Sequence, residues 1–567
     1  MDPRLLVLAV GLGLAGVVIV LRLFVIQVLD RSWYRGLALG QRELVERIAP
    51  ERGMIVVQDR RSPGGQFPIA TNERTYTIYA VPKDIRDPQG AARTLAPLLH
   101  LPEDTLRERL AKPGDPYEPL VRRASIAERD AIAALRIPGV AAEATLSRFY
   151  PDGSAMAHLT GFVGDGPHGI SGRYGIEAAY DQVLSGTPGV LESERDPLGR
   201  WIVFGQRSGT PAIHGATVAL TIERELQLEA CRRLEAAVTA AGGSGGTMVI
   251  LHPMTGAVRA LCSVPAFDPN RYGATTDLAR FHAPAVTGAY EPGSVFKPMT
   301  MAAAIDAGVV HPDTTFTDTG RVVIGRAVIT NSNNHIYGES TMADVLRFSI
   351  NTGTVFVARK IGMDRFRAAV ERFGFGALTD IELPGESAGD TSNLARREEV
   401  YLATSSYGQG ITVTPLQLAV AYAAIANGGN LMQPHVVDAV MLSDGTRRRV
   451  EPRVIRRVMS ARTATLLQGM LVSVVRDGYP KRAGVRGYLV GGKTGTAQIP
   501  LPDRPGYSAD TIHTFAGIGA VDHPTFAMVV RIDRPTVQRF ADSTAAPLFG
   551  EMAKYLLEYD GILPKKN

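Results

Sequence analysis

The sequence has 567 residues, enough for about three to four domains of roughly 150 residues each, which excludes a single small module. Hydrophobic residues make up 45% of the chain and charged residues 21%, as in an ordinary globular protein, and the net charge is only +5. No basic block that could follow a phosphate backbone stands out, so nucleic acid is not an expected partner. Two cysteines exclude a disulfide framework, and scattered histidines without an HExxH pattern argue against a catalytic metal, so we expect no cofactor.

An apolar segment opens the chain. Residues 5–21 are uninterrupted by polar side chains, and after Arg22 the apolar character continues to residue 29. As a helix, the first run spans about 25 Å and the whole segment about 37 Å, which suffices to cross a bilayer. We therefore predict a transmembrane anchor at residues 5–29, preceded by a short cytoplasmic tail at residues 1–4. The alternative is a cleaved signal peptide, although residues 38–40 make a poor and distant cleavage site.

The distribution of basic residues around this segment does not predict the orientation that an exported protein would need. Only Arg4 precedes the span, whereas several arginines follow it. The positive-inside rule alone would therefore place the bulk of the chain in the cytoplasm. The chemistry of the later motifs has to decide the orientation.

A first soluble domain is predicted at residues 30–214. This part of the chain is rich in Gly, Pro and Arg and carries short β-branched runs such as residues 75–81. Short helices are predicted near residues 106–110 and 126–135. We expect an irregular, mostly β domain with helical insertions.

A second domain, of the α+β class, is predicted at residues 215–560, followed by a tail at 561–567. Its predicted strands lie near both of its ends, which indicates one sheet that joins those ends. These strands are residues 218–222, 247–252, 257–264, 488–492, 513–521 and 525–532. Helices are predicted at residues 223–241, 294–306, 342–361, 415–427, 461–476 and 546–557. The pattern favours two buried thiols at Cys231 and Cys262, with one disulfide as the alternative.

Two motifs in this domain can perform and assist a nucleophilic attack. Ser294 begins a predicted helix and Lys297 follows three positions later, which places both side chains on one helix face. If burial and a neighbouring cation keep the Lys297 amine neutral, it can take the hydroxyl proton as Ser294 attacks a carbonyl. In the second motif, Ser349 can relay a proton for the leaving amine and Asn351 can hold a substrate amide.

A third motif, on a predicted edge strand, can recognise an anionic substrate. Lys493 supplies positive charge, while the hydroxyls of Thr494 and Thr496 can bind a carboxylate. Gly495 leaves room for a close backbone approach. The backbone amides of Ser294 and Thr496 are expected to form an oxyanion hole.

The combination of these motifs is specific. Of the nine lysines, only Lys297 has a serine three residues earlier and only Lys493 opens a Lys-Thr-Gly triplet. The three motifs in this order occur in β-lactamases and penicillin-binding proteins. The chain resembles the class B penicillin-binding proteins, the monofunctional peptidoglycan D,D-transpeptidases. The resemblance extends to residues 48–60, 148–153, 172–189, 251–272 and 406–429.

The resemblance implies a serine β-lactamase-like catalytic domain, with an antiparallel sheet flanked by helices, on a dimerisation-type pedestal at residues 30–214. It implies that Arg52 and Glu177 pair within the pedestal, with two separate surface charges as the alternative. Such enzymes are single-pass cell-membrane proteins with an extracytoplasmic catalytic domain. Because no glycosyltransferase signature occurs before residue 214, the implied partner is a membrane-embedded polymerase of the shape, elongation, division and sporulation (SEDS) family. Residues 337–353 look closer to division-type or sporulation-type members than to elongation-type ones.

The expected activity is cross-linking of peptidoglycan stem peptides, with β-lactams as mimics of the substrate. Ser294 would attack the penultimate D-Ala carbonyl and release D-Ala, and an amine of a neighbouring stem peptide would take the acyl group. Hydrolysis, as in a β-lactamase or a D,D-carboxypeptidase, uses the same motifs and is an alternative. A non-enzymatic drug sensor or scaffold is another. No E-x-x-L-N element that would activate a deacylating water is apparent, and all catalytic groups are present.

Overall fold

The computed structural model describes residues 3–31, 43–166, 169–194, 207–501, 503–504 and 506–565. The start of the predicted pedestal at residues 32–42 and the last two residues of the predicted tail lie outside the described residues. Near the N-terminus, helix α1 (Pro3–Phe24) continues into a π-helical turn (Val25–Leu29). Residues Leu6–Leu29 are long and apolar enough to cross a membrane. Their large apolar side chains are exposed in the isolated chain, as a lipid-facing helix requires.

The elements before residue 216 are short and mostly extended, as the composition predicts. The helices of this part after α1 are α2 (Pro88–Leu99), α3 (Glu103–Leu110), α4 (Ile126–Ala134), α5 (Ala157–Thr160), α6 (Gly175–Ala179) and α7 (Asp181–Ser185). The strands are β1 (Glu43–Ile48), β2 (Ile55–Gln58), β3 (Gln66–Ala80), β4 (Glu118–Ala124), β5 (Val140–Phe149), β6 (Phe162–Gly166), β7 (Gly169–Arg173), β8 (Gly189–Glu194) and β9 (Arg207–Thr210).

The remainder of the chain contains further strands and most of the longer helices. The helices are α8 (Arg224–Ala240), α9 (Pro284–Thr287), α10 (Lys297–Asp306), α11 (Met342–Arg347), α12 (Asn351–Ile361), α13 (Met363–Arg372), α14 (Glu399–Ser406), α15 (Pro415–Ala426), α16 (Ala461–Asp477) and α17 (Ala545–Tyr559). The strands are β10 (Thr217–Glu223), β11 (Gly245–Leu251), β12 (Val258–Val264), β13 (Thr315–Asp318), β14 (Arg321–Ile324), β15 (Ala327–Thr330), β16 (Gly338–Thr341), β17 (Asn430–Met432), β18 (Val437–Met441), β19 (Arg447–Arg449), β20 (Val454–Arg457), β21 (Gly491–Pro500), β22 (Tyr507–Gly519) and β23 (Phe526–Asp533).

The chain divides into two compact units. The first contains residues up to 52 together with 185–215, and its strands β1, β8 and β9 form an antiparallel sheet. The second contains residues 53–184 and those from 216 onward. Within it, a seven-stranded sheet has the order β19-β18-β10-β2-β3-β4, with β5 also paired to β3. This sheet therefore takes strands from both sides of residue 215.

A five-stranded antiparallel sheet organises the later part of the second unit. Its order is β12-β11-β23-β22-β21, so strands from the two ends of the segment lie side by side, as predicted. Helices α8 and α17 cover one face through an apolar cluster that includes Leu234, Phe549 and Leu556. Helix α15 packs against the other face, and because it is apolar all round it is buried along its whole length. The α+β fold expected from the sequence is confirmed.

Two local predictions were wrong. The helix predicted at residues 342–361 is broken: α11 ends at Arg347 and α12 begins at Asn351, with Ser349 between them in the left-handed region at φ +58°. Cys231 and Cys262, for which the sequence favoured free thiols, are joined by a disulfide. Helix α8 packs on β12 and brings their Cα atoms to 5.4 Å, within the usual span of a disulfide.

A buried ion pair stiffens the part of the second unit before residue 184. The Arg148 guanidinium donates from Nε to Glu177 Oε1 at 2.6 Å, and both side chains are almost completely buried. Tyr150 Oη donates to the same carboxylate oxygen at 3.3 Å. In the first unit, Arg52 Nη1 donates to Ser185 Oγ at 2.8 Å. Sequence reasoning named Glu177 as a partner of Arg52 and did not predict its bond to Arg148.

Candidate active site

Ser294 lies on a tight turn that presents it to a cleft. A single 3₁₀ turn (Gly293–Phe296) precedes α10, and Ser294 keeps part of its surface exposed there while its neighbours are buried. Gly293 has φ +60°, a conformation that favours glycine. Its N–H donates to the Gly408 carbonyl at 2.9 Å, and Tyr422 Oη donates to the Val295 carbonyl at 2.9 Å. Residues far apart in sequence therefore fix the turn.

Strand β21 lies directly against this turn because Gly495 has no side chain. A Cβ atom at residue 495 would lie 2.8 Å from the Pro292 carbonyl oxygen and 3.3 Å from the Val295 nitrogen. The close backbone approach predicted for Gly495 is therefore present, and the backbone it approaches is that of the Ser294 turn. The backbone positions of Ser294 and Thr496 are brought near each other in this way.

The Lys297 amine lies behind the cleft, in contact with Ser349, which lines it. Its side chain is 0% exposed, and Nζ donates to the Ser349 carbonyl at 2.6 Å and to Asn351 Oδ1 at 2.7 Å. Nζ also lies 3.2 Å from Ser349 Oγ. Burial lowers the pKa of Lys297 well below its ordinary value of 10.5, and the nearby charge of Lys493 lowers it further. The two conditions required for a neutral amine, burial and a neighbouring cation, are both met.

The break between α11 and α12 places the second motif around that amine. With φ at +58°, Ser349 turns its carbonyl toward Lys297 instead of continuing the helix. Asn351 accepts from Lys297 and donates through Nδ2 to the Thr330 carbonyl at 2.9 Å. A regular helix through residues 342–361 would not offer a carbonyl at this point, since its carbonyls bond within the helix. The local strain therefore serves the site.

Two buried polar residues that sequence reasoning missed hold the start of α12. Asn331 Oδ1 accepts from the Asn351 N–H at 2.9 Å, and Asn331 Nδ2 donates to Asp318 Oδ2 at 2.8 Å. Thr352 Oγ1 donates to Asp318 Oδ1 at 2.6 Å. Asp318 and Asn331 are 2% and 3% exposed, so these bonds are made away from water. The network fixes the backbone from which Asn351 extends.

The third motif lies on the edge strand of the five-stranded sheet, as predicted. Lys493 is opposite Ala516 of β22, is almost completely buried, and donates from Nζ to the Thr494 carbonyl at 3.2 Å. Burial lowers its pKa from 10.5 to about 7. Thr494 and Thr496 alternate with the buried Lys493 and Gly495, and both line the cleft. The Thr496 Oγ1 atom accepts a hydrogen bond from the Ala541 N–H at 3.1 Å.

The cleft itself has a volume of about 400 Å³ and brings together Ser294, Ser349, Thr494 and Thr496. Its remaining wall is largely aromatic, and the aromatic residues come from four separate segments, so no local sequence pattern predicts that they lie together. They are His335, Tyr337, Phe348, Tyr479 and Phe540. Among the described residues, no group of three or more His, Cys, Asp or Glu side chains comes together that could hold a metal ion.

Comparison with known proteins decides the family. Residues 246–554 match the penicillin-binding protein transpeptidase domain, and residues 47–220 match the penicillin-binding protein dimerisation domain. Stage V sporulation protein D of Bacillus subtilis is 32% identical over 91% of this chain and 80% of that protein. Peptidoglycan D,D-transpeptidase FtsI of Escherichia coli is 30% identical over 92% of this chain and 85% of that protein. This chain belongs to the class B penicillin-binding proteins.

Solved structures of the family have the same fold. A crystal structure of penicillin-binding protein 3 from Mycobacterium tuberculosis, in complex with aztreonam, superposes with a TM-score of 0.71 at 28% identity. The superposition covers 92% of this chain and 98% of that one. The sporulation protein among the relatives agrees with the expected division or sporulation type.

In this class B penicillin-binding protein, the polar side chains of the three short motifs lie close together at the cleft. Ser349 and Asn351 meet Lys297, while Thr494, Thr496 and Ser294 line the same cavity. The aromatic wall and the Asp318–Asn331 support were missed. The only signal for that support was a cluster of polar residues at 331–334, which is also typical of an ordinary turn.

Proposed function

We propose that this protein is a peptidoglycan D,D-transpeptidase that acts through an acyl-enzyme at Ser294. The observation that carries the proposal is the completely buried Lys297 amine, held by Ser349 and Asn351 in the same site as Ser294. A lysine in this environment is a base at neutral pH, because the protein interior disfavours its charged form. The names of the relatives, which include peptidoglycan D,D-transpeptidases, support the substrate class.

The first half of the reaction forms the acyl-enzyme. Ser294 Oγ attacks the penultimate D-Ala carbonyl of a stem peptide while its proton passes to the Lys297 amine. The negative oxygen that develops is stabilised by the backbone N–H groups of Ser294 and Thr496. The C–N bond then breaks, and the leaving D-Ala amine receives the proton from Lys297 through the Ser349 hydroxyl.

Proton transfer through Ser349 is consistent with the number of hydrogen bonds that a neutral Lys297 amine can make. Lys297 in its neutral form has two hydrogens, which the Ser349 carbonyl and Asn351 Oδ1 accept at 2.6 and 2.7 Å. The lone pair of Nζ is then available to a hydroxyl, and Ser349 Oγ lies 3.2 Å away. In the second half, an amine of another stem peptide attacks the acyl carbonyl, gives up its proton along the same path and releases Ser294.

Substrate recognition is assigned to the third motif and Asn351. Lys493 supplies positive charge, and Thr494 and Thr496 donate to the terminal carboxylate of the donor peptide. Gly495 keeps β21 close enough to the Ser294 turn for the two oxyanion amides to act together. Asn351 keeps one amide hydrogen beyond its bond to the Thr330 carbonyl, and we assign it to the substrate amide.

Product analysis tests the proposal against hydrolysis. The purified full-length protein is given a stem-peptide donor ending in D-Ala-D-Ala and an amine acceptor, and the products are separated by mass. We expect cross-linked product and free D-Ala in equal amounts. Lys297→Ala should abolish both, with Ser294→Ala as the reference for complete loss. Free acid in place of cross-linked product would instead identify a D,D-carboxypeptidase.

We propose the following division and orientation of the chain. Residues 1–4 are cytoplasmic, 5–29 span the membrane, 30–214 form the pedestal, 215–560 form the transpeptidase domain and 561–567 are a tail. The Cys231–Cys262 disulfide supports an extracytoplasmic position, since such bonds persist in oxidising compartments. A reporter that functions only outside the cytoplasm, fused after residue 567, should be active. An inactive reporter, together with both thiols free to alkylation, would contradict this topology.

We also propose that the protein works beside a membrane-embedded SEDS-family glycan polymerase, because the sequence shows no polymerase motif of its own. Deleting the pedestal is not a suitable test, since β2 pairs directly with β10 and the sheet would be broken. Replacing residues 5–29 of the full-length protein with an unrelated transmembrane helix keeps the folded part intact. Co-purification of the polymerase should fall with this variant. Unchanged recovery with this variant would contradict the proposed contact through the membrane span.

A further inference from the structure

The Thr496 hydroxyl, assigned above to carboxylate binding, is hydrogen-bonded by a segment outside the three motifs that also lines the cleft. That segment, Ala541–Thr544, connects β23 to α17 and begins with a short 3₁₀ turn (Ala541–Ser543). The Ala541 N–H donates to Thr496 Oγ1 at 3.1 Å. A hydroxyl has one hydrogen, and an oxygen that already accepts from Ala541 still has that hydrogen to donate. The Ala541 N–H occupies one lone pair of Thr496 Oγ1, so the Thr496 O–H bond points away from Ala541. Thr496 is exposed to the cleft, which is where this O–H can find an acceptor.

A second hydrogen bond holds the other end of the same segment. His513 of β22 lies directly opposite Thr496 of β21, so the two side chains emerge on one face of the sheet. His513 Nδ1 lies 2.8 Å from Thr544 Oγ1, and Nε2 lies 3.1 Å from Thr511 Oγ1. The imidazole is completely buried, and burial lowers its pKa to about 4, so at neutral pH it is uncharged, with one nitrogen donating and the other accepting.

The Thr544 hydroxyl bonds to His513 in place of the helix-capping bond that a threonine at this position ordinarily makes. Thr544 is the residue before the first turn of α17, where a threonine hydroxyl ordinarily accepts from first-turn N–H groups. Its side chain makes no such capping bond and contacts His513 instead. Two neighbouring strands thus hold the segment at its two ends, through Thr496 and through His513.

We propose that the Ala541 N–H and the His513–Thr544 pair are positioning groups that direct the Thr496 O–H toward the carboxylate of the acyl donor. This inference rests on the proposed function, which assigns that carboxylate to Thr494 and Thr496. These groups do not touch the reacting atoms. Their effect is on the preference for donors that end in a carboxylate over otherwise identical donors that do not.

Ala541→Pro removes the single N–H with little change in backbone shape. Phe540 is extended at φ −132° and ψ 150°, the conformation that a residue before proline prefers, and residue 541 begins a helical turn, where proline is tolerated. Ala541→Gly keeps the N–H and is the matched control. At the other end, Thr544→Val removes the hydroxyl with little change in shape, and Thr544→Ser restores it.

The measurement uses full-length protein and two acyl-D-Ala thioesters, one whose thiol leaving group ends in a carboxylate and one in which that group is a carboxamide. Single-turnover thiol release gives an acylation rate for each, and the ratio of the two rates is the readout. We expect Ala541→Pro and Thr544→Val each to lower this ratio by about fivefold to tenfold, a part of what a hydrogen bond to a charged group contributes. Ala541→Gly and Thr544→Ser should retain the wild-type ratio.

A double-mutant cycle separates positioning from general damage. Thr496→Val should itself lower the ratio, and adding Ala541→Pro to it should lower the ratio no further, because the hydroxyl to be oriented is absent. Equal loss with both thioesters, an unchanged ratio, or an additive double mutant would overturn the inference. If Ala541→Pro does not fold by circular dichroism, the Thr544→Val and Thr544→Ser pair decides. Thiol release that survives Ser294→Ala would refute the proposed function, whereas Ser294-dependent release with unchanged ratios refutes only this inference.

Discussion

Replacing Lys493 with methionine should stabilise the fold while it abolishes acylation. The folded protein lowers the pKa of this lysine from 10.5 to about 7 by burial. Each pH unit of difference between folded and unfolded pKa corresponds to about 1.4 kcal/mol, so keeping this lysine buried costs about 4 kcal/mol at pH 7. Methionine fills a similar volume without charge, and loses only the bond from Nζ to the Thr494 carbonyl, about 1 kcal/mol. The net gain at pH 7 is then about 3 kcal/mol.

The sign of the pH dependence follows from the direction of the shift. The folded pKa lies below the unfolded one, so between about pH 7 and pH 10 the unfolded chain binds more protons and stability rises with pH. The cost of burying Lys493 falls to about 1 kcal/mol at pH 9.5. The advantage of Lys493→Met should therefore be largest at or below pH 7 and should largely disappear by pH 9.5.

Thermal unfolding followed by far-ultraviolet circular dichroism is the assay. For a compact unit of about 480 residues (53–184 and 216–567), about 3 kcal/mol corresponds to a rise in Tm of about 3 °C. Lys481→Met, at an exposed lysine, is the matched control and should show neither the gain nor its pH dependence. A lower Tm for Lys493→Met at pH 7, or a difference that does not change with pH, would refute the reasoning.

Three further predictions concern the site and its support. Gly495→Ala would place a Cβ 2.8 Å from the Pro292 carbonyl and push β21 from the nucleophile turn, so labelling by penicillin should slow by about tenfold or more in a protein that melts normally. Arg148→Met removes the guanidinium from a buried ion pair with Glu177 and should cost about 3–5 kcal/mol, whereas an unchanged melting curve would show that the pair is dispensable. Acylation by anionic β-lactams should fall as pH rises through about 7 and Lys493 loses its charge, and Lys493→Arg should show no such fall if charge is the cause.

The features that could be predicted from the sequence are those set by the spacing of nearby residues. Ser294 and Lys297 are one helical turn apart, and the alternation along β21 places Thr494 and Thr496 on the cleft side. The β-strand patterns near both ends of residues 215–560 predicted that these ends join in one sheet, which is the five-stranded sheet. These features depend on neighbours within a few residues or on hydrophobic periodicity, both of which are visible in one sequence.

What the sequence could not predict depends on contacts between distant residues. No glycine or proline marks the break at Ser349, whose left-handed backbone is stabilised by the bond from Lys297 to its carbonyl. The disulfide forms because α8 packs on β12, which residue spacing does not show. The bond from the Ala541 N–H to Thr496 uses a backbone group that every residue except proline carries, so it has no sequence signal.

Labelling with a fluorescent or isotopic penicillin tests the central claim most directly. A β-lactam carries a strained amide and a carboxylate, so the site described here should open the ring and retain the acyl group on Ser294. We predict one label per protein chain, stable for minutes or longer, located by mass spectrometry in the peptide that contains Ser294 and absent in Ser294→Ala. Label on another residue, or rapid multiple turnover of the drug, would contradict the account.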